Sequence, residues 1–379
     1  MKQNWEISEL EKCLEKVTYT NKIQRKDFKD EGIYPIVSQE KEYINGYWDN
    51  ENDLFLVEKP VVIFGDHTQV LKYVDFSFVL GADGVKILIP KKHIDSRYFY
   101  YYMQNVDLGS LGYARHYRLL KEIDVQYPSS LPEQQRIVSI LDEAFAAIDK
   151  AKANAEQNLK NAKELFESFL QGVFENGNWE MKTIDEACEE IFAGGDAPKN
   201  NFSSEPNEKH KIPIYANAVK DRGLYGYTDF ARVTKPCVTI AARGSGTGHT
   251  ELRSEQFLPI VRLIVCIPYN SQMSTEFLKY TIDSLVIQRS GSAIPQLTVP
   301  MIKEYKIPVP TIEEQKQIIE NAETLRAETQ KMEAIYQKKI ADLEELKKSV
   351  LQKAFAGELK VSELGWVGLK DDKIKMNTK

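Results

Sequence analysis

The chain is written twice. Trp5-Glu6 opens one half and Trp179-Glu180 opens the next, and landmarks then recur in the same order. Gly46-Tyr47-Trp48-Asp49 answers Gly226-Tyr227-Thr228-Asp229, Lys59-Pro60 answers Lys235-Pro236, and His67-Thr68 answers His249-Thr250. From Glu133-Gln134 onward a constant shift of 181 reaches Glu314-Gln315 and carries 168–174 onto 349–355 without a gap. A chain made of two copies of one unit is expected to fold about a pseudo-two-fold axis. Its natural partner is something that also has two halves.

The ungapped stretches read as long helices. In the first, apolar or small residues stand at Ile137, Leu141, Ala144, Ile148, Ala151, Ala155, Leu159, Ala162, Phe166, Leu170 and Val173. The second repeats that spacing at Ile318, Ala322, Leu325, Thr329, Met332, Tyr336, Ile340, Leu343, Lys347, Leu351 and Ala354. This is a heptad seam with one stutter, and the stutter recurs in both copies. Each helix is roughly 60 Å long at ~1.5 Å per residue. A helix with so narrow a stripe is not stable alone, so the two are expected to pack on each other, and a two-fold axis makes them antiparallel. The other arrangement is a parallel coil between two chains. Pro-restricted segments lead in, with Ser130 or Thr311 as caps, and Asn176-Gly177 and Ala356-Gly357 lead out.

Before each helix lies a module that matches its copy only at scattered Gly, Pro and aromatic positions. β-Branched runs at 61–64 and 238–241, and further runs at 85–90 and 261–268 closed by Pro, predict strands. Helices are predicted at 96–104 and 274–283, each opening from Ser at the cap. The fold class is therefore α+β, with curved, largely antiparallel sheets. The organisation expected is a first module over 1–130, a spacer helix over 131–177, a second module over 178–308, a second spacer helix over 309–357, and a tail over 358–379. The four cysteines form no C-x-x-C pair, and Cys13 and Cys188 occupy matching places, so they read as small buried residues. No run approaches 18 apolar residues and the first 17 residues are charged throughout. The expectation is a cytoplasmic protein with reduced thiols and no membrane association.

The net charge of −6 argues weakly against nucleic acid, but it is unevenly spread. Residues 91–121 carry six Lys/Arg against two Asp, 211–253 carry seven against three acidic residues, and 131–177 net −3. Within the basic stretches, loops combine cations with small polar donors. Arg243-Gly244-Ser245-Gly246-Thr247-Gly248-His249-Thr250 follows a strand as a phosphate cradle would, yet it lacks the Gly-Lys-Ser/Thr ending and is followed by strand. Its first-module counterpart by landmark is Gly65-Asp66-His67-Thr68, six residues shorter. Such loops suit a nucleic-acid backbone or base edge; the plain alternative is a hairpin connection with a satisfied His. A second pair of loops sets Tyr113, Arg115, His116 and Arg118 against Ser292 and Gln296, and Arg fits a guanine edge as Gln fits adenine. With Lys59, Lys220 and Arg222, these are the candidate DNA-binding residues: Lys59, His67, Thr68, Tyr113, Arg115, His116, Arg118, Lys220, Arg222, Arg243, Ser245, Thr247, His249, Thr250, Ser292 and Gln296. Each taken singly is more simply solvated surface.

Five His carry no H-x-x-x-H or H-E-x-x-H, and there is no G-x-S-x-G, methyltransferase tetrapeptide or cofactor loop. No catalytic residue, metal or cofactor is expected. Helix entries Leu131-Pro132-Glu133-Gln134-Gln135-Arg136-Ile137-Val138 and 312–319, with the helix ends 170–174 and 351–359, resemble the DNA-specificity subunit of type I restriction–modification systems over about residues 4–359. That resemblance implies two target-recognition domains held apart by an antiparallel coiled coil. It also implies double-stranded DNA, two DNA methyltransferase (modification) subunits and restriction (translocase–nuclease) subunits as partners, with the chemistry left to those partners. A specificity protein serving a fused nuclease–methyltransferase polypeptide is the variant reading. A nucleotide-dependent enzyme using 243–250 and a purely structural scaffold are the alternatives of other classes. The tail departs from the family's usual end.

Overall fold

The computed structural model describes residues 4–109, 112, 114–244, 246–285 and 296–358. Residues 359–379 of the expected tail, and Tyr113, Ser245 and Ser292 among the candidates, lie outside these. The chain divides into two compact units. One comprises 1–156 with 338–379, the other 157–337.

The first unit opens with strand Trp5–Glu9, which pairs antiparallel with Asp124–Pro128, the strand that enters the first long helix. A three-stranded sheet places Val61–Gly65 between Leu71–Val74 and Val85–Leu88, all antiparallel. A second sheet is partly parallel: Phe78–Gly81 runs parallel to both Lys22–Ile23 and Tyr34–Val37. The second unit repeats the plan. Glu180–Thr183 pairs with Lys306–Val309, and Cys237–Ile240 lies between Thr250–Arg253 and Ile264–Pro268. Ile212–Tyr215 pairs antiparallel with Leu224–Thr228 and parallel with Leu258–Pro259. The α+β class stands, with parallel pairs added to the antiparallel ones.

Two local expectations need correction. The helix predicted from Ser96 spans Ser96–Asn105 but is capped by Asp95, whose carboxylate accepts the N–H of Arg97 and Tyr98. A carboxylate there also meets the positive end of the helix. Ser274 does cap its equivalent, Thr275–Ser284, through Phe277 N–H. The strand predicted over 261–268 begins only at Ile264. Val261 and Arg262 donate to the carbonyls of Gly195 and Gly194, which draws both into left-handed turn geometry (φ 51° and 62°).

The long helices run Leu131–Asn176 and Ile312–Ala356. Every expected seam position is buried or half-buried, Lys347 included. Thr311 forms the cap of the second helix: its hydroxyl accepts Glu314 N–H while the Glu314 carboxylate takes the Thr311 N–H. In the first unit, Ile137, Leu141, Ala144 and Ile148 share a core with Val350, Leu351, Ala354 and Phe355. Asp149 pairs with Lys347 at 2.8 Å and Lys152 with Glu344 at 2.7 Å, so numbers rise on one helix as they fall on the other. In the second unit, Leu170 meets Ala322 and Phe166 meets Arg326, again antiparallel. Pairing within one chain removes the parallel two-chain coil.

The seam also carries an exchange. Lys347 Nζ sits 4.9 Å from the centre of the Phe145 ring, and the Arg326 guanidinium 5.1 Å from that of Phe166. The shift of 181 maps Phe145 onto Arg326 and Phe166 onto Lys347. The same cation–aromatic pair is thus kept in both units with its members on opposite helices.

Each module is gripped twice. Its own long helix begins with a fully buried glutamine, Gln134 or Gln315. The other long helix ends on it with a phenylalanine. Phe355 packs edge-on against Tyr98 and Tyr102 at 5.4 and 5.3 Å, and Phe174 against Phe277 at 5.8 Å. The Phe355 ring, 5% exposed, contributes about 1.5–3 kcal/mol by burial. Cys13 and Cys188 are buried as expected, Cys237 and Cys266 are buried too, and burial pushes the Cys237 thiol up to about 12. Among the described residues, no helix is long and apolar enough to cross a membrane.

Candidate nucleic-acid interface

In the first module, the turn 65–70 between two core strands gathers its neighbours through Asp66, which is 2% exposed. Its N–H donates to Gly84 O at 2.7 Å, and its carbonyl accepts the His116 N–H at 2.7 Å. Its carboxylate accepts Tyr117 N–H at 2.8 Å, with Lys86 Nζ 3.9 Å away. Three loops distant in sequence thus meet at one end of the sheet. Gln69, at φ 58°, adds a bond to Gly109 O at 2.8 Å.

Gln39, just beyond strand Tyr34–Val37, clasps the same turn. Its Oε1 accepts His67 N–H at 3.1 Å and its carbonyl accepts the Thr68 hydroxyl at 2.6 Å. Lys72, buried beneath, donates to Asn45 Oδ1 and the Glu42 carbonyl, and burial draws its ammonium down to about 8.

In the second module the corresponding turn is 241–249. Thr247 is 3% exposed and donates to Gly244 O at 2.8 Å, while Gly244 and Gly248 take φ of +80° and +93°. Only glycine adopts these values without strain. Asn217 Oδ1 accepts the N–H of Ala242 and of Arg243, and its Nδ2 donates to Arg243 O at 3.1 Å. Leu297 N–H donates to Ala242 O at 2.9 Å, which brings Gln296 to 3.4 Å from Arg243 Nη2. The adjacent turn 220–223 lies alongside. A Cβ on Gly246 would stand 2.4 Å from Val219 Cγ2, and Arg222 bonds Glu251 and the Leu252 carbonyl. Burial pushes the Glu251 carboxyl up, but hydrogen bonds from Arg222 and His249 outweigh it and hold it below its usual range.

The candidates therefore separate by place. Thr68, Arg115 and Arg118 are exposed near the first turn; Lys220, Arg222, Arg243 and His249 are exposed near the second. His116 is 1% exposed and holds loops together, so a groove cannot reach its ring. Thr247 and Thr250 are likewise buried, the latter bonded to Asp283. His67 and Gln296 are half-buried. Lys59 stands at the opposite end of strand Val61–Gly65 from the turn, with its ammonium on Glu15 and the Pro90 carbonyl. Lys59→Ala is expected to leave DNA affinity and its salt dependence unchanged. A fall in the salt slope by about one in a filter-binding titration would return Lys59 to the interface.

The His67–His249 equivalence needs correction. Strand register pairs Phe64 with Leu71 and Ile240 with Thr250, which leaves 65–70 and 241–249 as the turns. They differ by three residues, not six. His67 occupies the place of Arg243, and His249 the place of Val70. Backbone pairing, rather than a shared side chain, sets the correspondence. The clasping amides were missed, although their signal was present: Pro35-Ile36-Val37-Ser38-Gln39 parallels Pro213-Ile214-Tyr215-Ala216-Asn217. Among the described residues no cluster of three His, Cys, Asp or Glu could hold a metal ion.

A family profile described as the type I restriction modification DNA specificity domain matches residues 2–160 and again 176–344. A Mycoplasma pneumoniae protein described as a type I specificity subunit is 34% identical over 145 residues, 37% of this chain and 42% of that protein. The match thus spans under half the length of that relative. The specificity subunit of the type I restriction enzyme EcoR124I/EcoR124II from Escherichia coli is 24% identical over 331 residues, 79% of this chain and 80% of that one. A solved chain from work on complex assembly and conformational transition of the type I R-M system has a TM-score of 0.70 at 14% identity, covering 94% of this chain and 98% of its own. That likeness bears on the fold.

Proposed function

Since this chain belongs to the type I restriction–modification DNA specificity family, we propose that it reads a bipartite double-stranded DNA target and brings partner enzymes to it without catalysis of its own. The recognition domains are 1–130 and 178–308, and the long helices over 131–177 and 309–357 are the docking frame. The partners are two methyltransferase subunits, one per repeat, and restriction subunits. One observation carries this reading. Both modules, on the same frame, bring exposed cations to the same sheet end, with different residues and turn lengths. Two readers of different words need such a pattern.

The phosphate backbone would meet Lys220 and Arg222 in one module and Arg118 in the other, while Arg243 and Arg115 reach for base edges. The test is to express the chain with its methyltransferase subunits and map methylated bases across the host genome. Methylation confined to one split sequence, and lost when this chain is withdrawn, is expected. Methylation by the purified chain alone, or an unchanged pattern without it, would overturn the proposal.

A further inference from the structure

We propose that Gln39 and Asn217 are equivalent positioning residues, each setting the shape of one reading turn and thereby the selectivity of one half of the target. The inference rests on the reading of both modules as DNA readers, and it concerns two residues that face the turn backbone rather than the DNA.

Strands Tyr34–Val37 and Ile212–Tyr215 are equivalent, and each is followed by one small residue and then by the amide. In both modules the side-chain oxygen accepts a backbone N–H from the first residues beyond the central strand: His67 N in one, Ala242 N and Arg243 N in the other. Those N–H groups lie past the last ladder pair of each hairpin. An amide suits this work because it both accepts and donates. Asn217 uses both capacities on Arg243, whose carbonyl takes the Nδ2 donor.

The surroundings are built to admit the amide. A Cβ on Gly84 would stand 2.5 Å from Gln39 Oε1, and one on Gly65 3.0 Å from Gln39 Cβ. Gly84 has φ +77°, so a side chain there is excluded by backbone and by space together. The two copies keep one contact but vary its reach. Gln39 carries one methylene more than Asn217 and serves the turn shorter by three residues. The residue held directly is His67 in one module and Arg243 in the other. The amide therefore fixes where a candidate base-contacting side chain leaves the backbone, and an error of an ångström at that point removes a bidentate contact.

The experiment uses the complex of the full chain with its methyltransferase subunits. Initial methylation rates are measured on the mapped target and on targets with single-base changes in either half. Gln39→Ala is expected to lower discrimination about tenfold in one half, and Asn217→Ala by a similar factor in the other, as loss of one or two hydrogen bonds implies. Each variant should leave discrimination in the opposite half unchanged, whatever the fall in melting temperature from the unpaired turn N–H groups. Gln39→Glu, which keeps the acceptor for His67 N–H, should restore discrimination while lowering overall affinity at low salt. Equal losses in both halves would mean a general stabilising role and would overturn the proposal. So would full discrimination in both alanine variants of a selective wild type. A wild type that methylates without preference would remove the reading of the modules itself, a separate failure.

Discussion

Gln315→Leu is expected to destabilise the second unit by about 3 kcal/mol or more, and Gln134→Leu to do the same to the first, at about 1–3 kcal/mol for each of three polar groups left unpaired. Both glutamines are fully buried in the first turns of the long helices. Gln134 Oε1 accepts the N–H of Asp95 at 2.7 Å, and its Nε2 donates to His93 O at 3.0 Å and Pro128 O at 2.8 Å. Gln315 repeats this with Ser274 N–H at 2.8 Å, Gln272 O at 2.7 Å and Pro310 O at 2.9 Å. Asp95 and Ser274 are the caps of the module helices. One side chain therefore joins the end of a strand, the start of a long helix and the start of a module helix.

Leucine fills the space but satisfies none of the three groups. Urea unfolding followed with hydrogen exchange at the Ser274 amide reads the loss. A midpoint shift equivalent to less than about 1 kcal/mol, within the range of one ordinary hydrogen bond, would mean that water replaces the amide.

Glu133-Gln134 and Glu314-Gln315 were visible in the sequence as the landmark where the repeat becomes ungapped. Their role was not, because two of the three groups each satisfies lie about 40 positions away and meet only after folding. The seam was legible for the opposite reason. Its spacing is a local property of a helix, and every seam position from Ile137 to Val173 and from Ile318 to Ala354 is at least half-buried. Local chemistry also found the Thr311 cap, but at 95–96 it chose the serine over the adjacent aspartate. In the modules the matching of His67 to His249 failed because identity was followed across a turn, where only strand register holds the frame. His116, Thr247 and Thr250 illustrate the same limit. Polar residues in a loop read as surface, yet here they are the internal bonds that give the loop its shape. The exposed arginines needed no such correction, since a cation without a buried partner is normally left at the surface.

Arg243→Ala is expected to relax recognition in one half of the target only, by about 1–3 kcal/mol, or roughly 5- to 150-fold, if its guanidinium meets a guanine edge. Among the exposed cations of the second module it is the one set on a stiff turn: Asn217 holds its N–H and carbonyl, and Thr247 and two left-handed glycines close the loop behind it. Its side chain meets Gln296 at 3.4 Å, a long contact that a base could displace. Arg222 offers a contrast, since Glu251 and the Leu252 carbonyl already engage it at 2.8 and 2.9 Å. Arg222→Ala should therefore cost less and act on all sequences alike. Arg243→Lys separates charge from geometry, because an ammonium keeps the attraction to phosphate but cannot form the planar two-bond contact. Base discrimination should fall in Arg243→Lys nearly as far as in Arg243→Ala, while affinity for unrelated DNA stays near wild type. The comparison is made by competition binding with single-base variants of each half-site over a range of salt. If both variants weaken all sequences equally, and the salt slope of Arg243→Ala falls by about one, Arg243 holds a phosphate and the guanine contact is excluded.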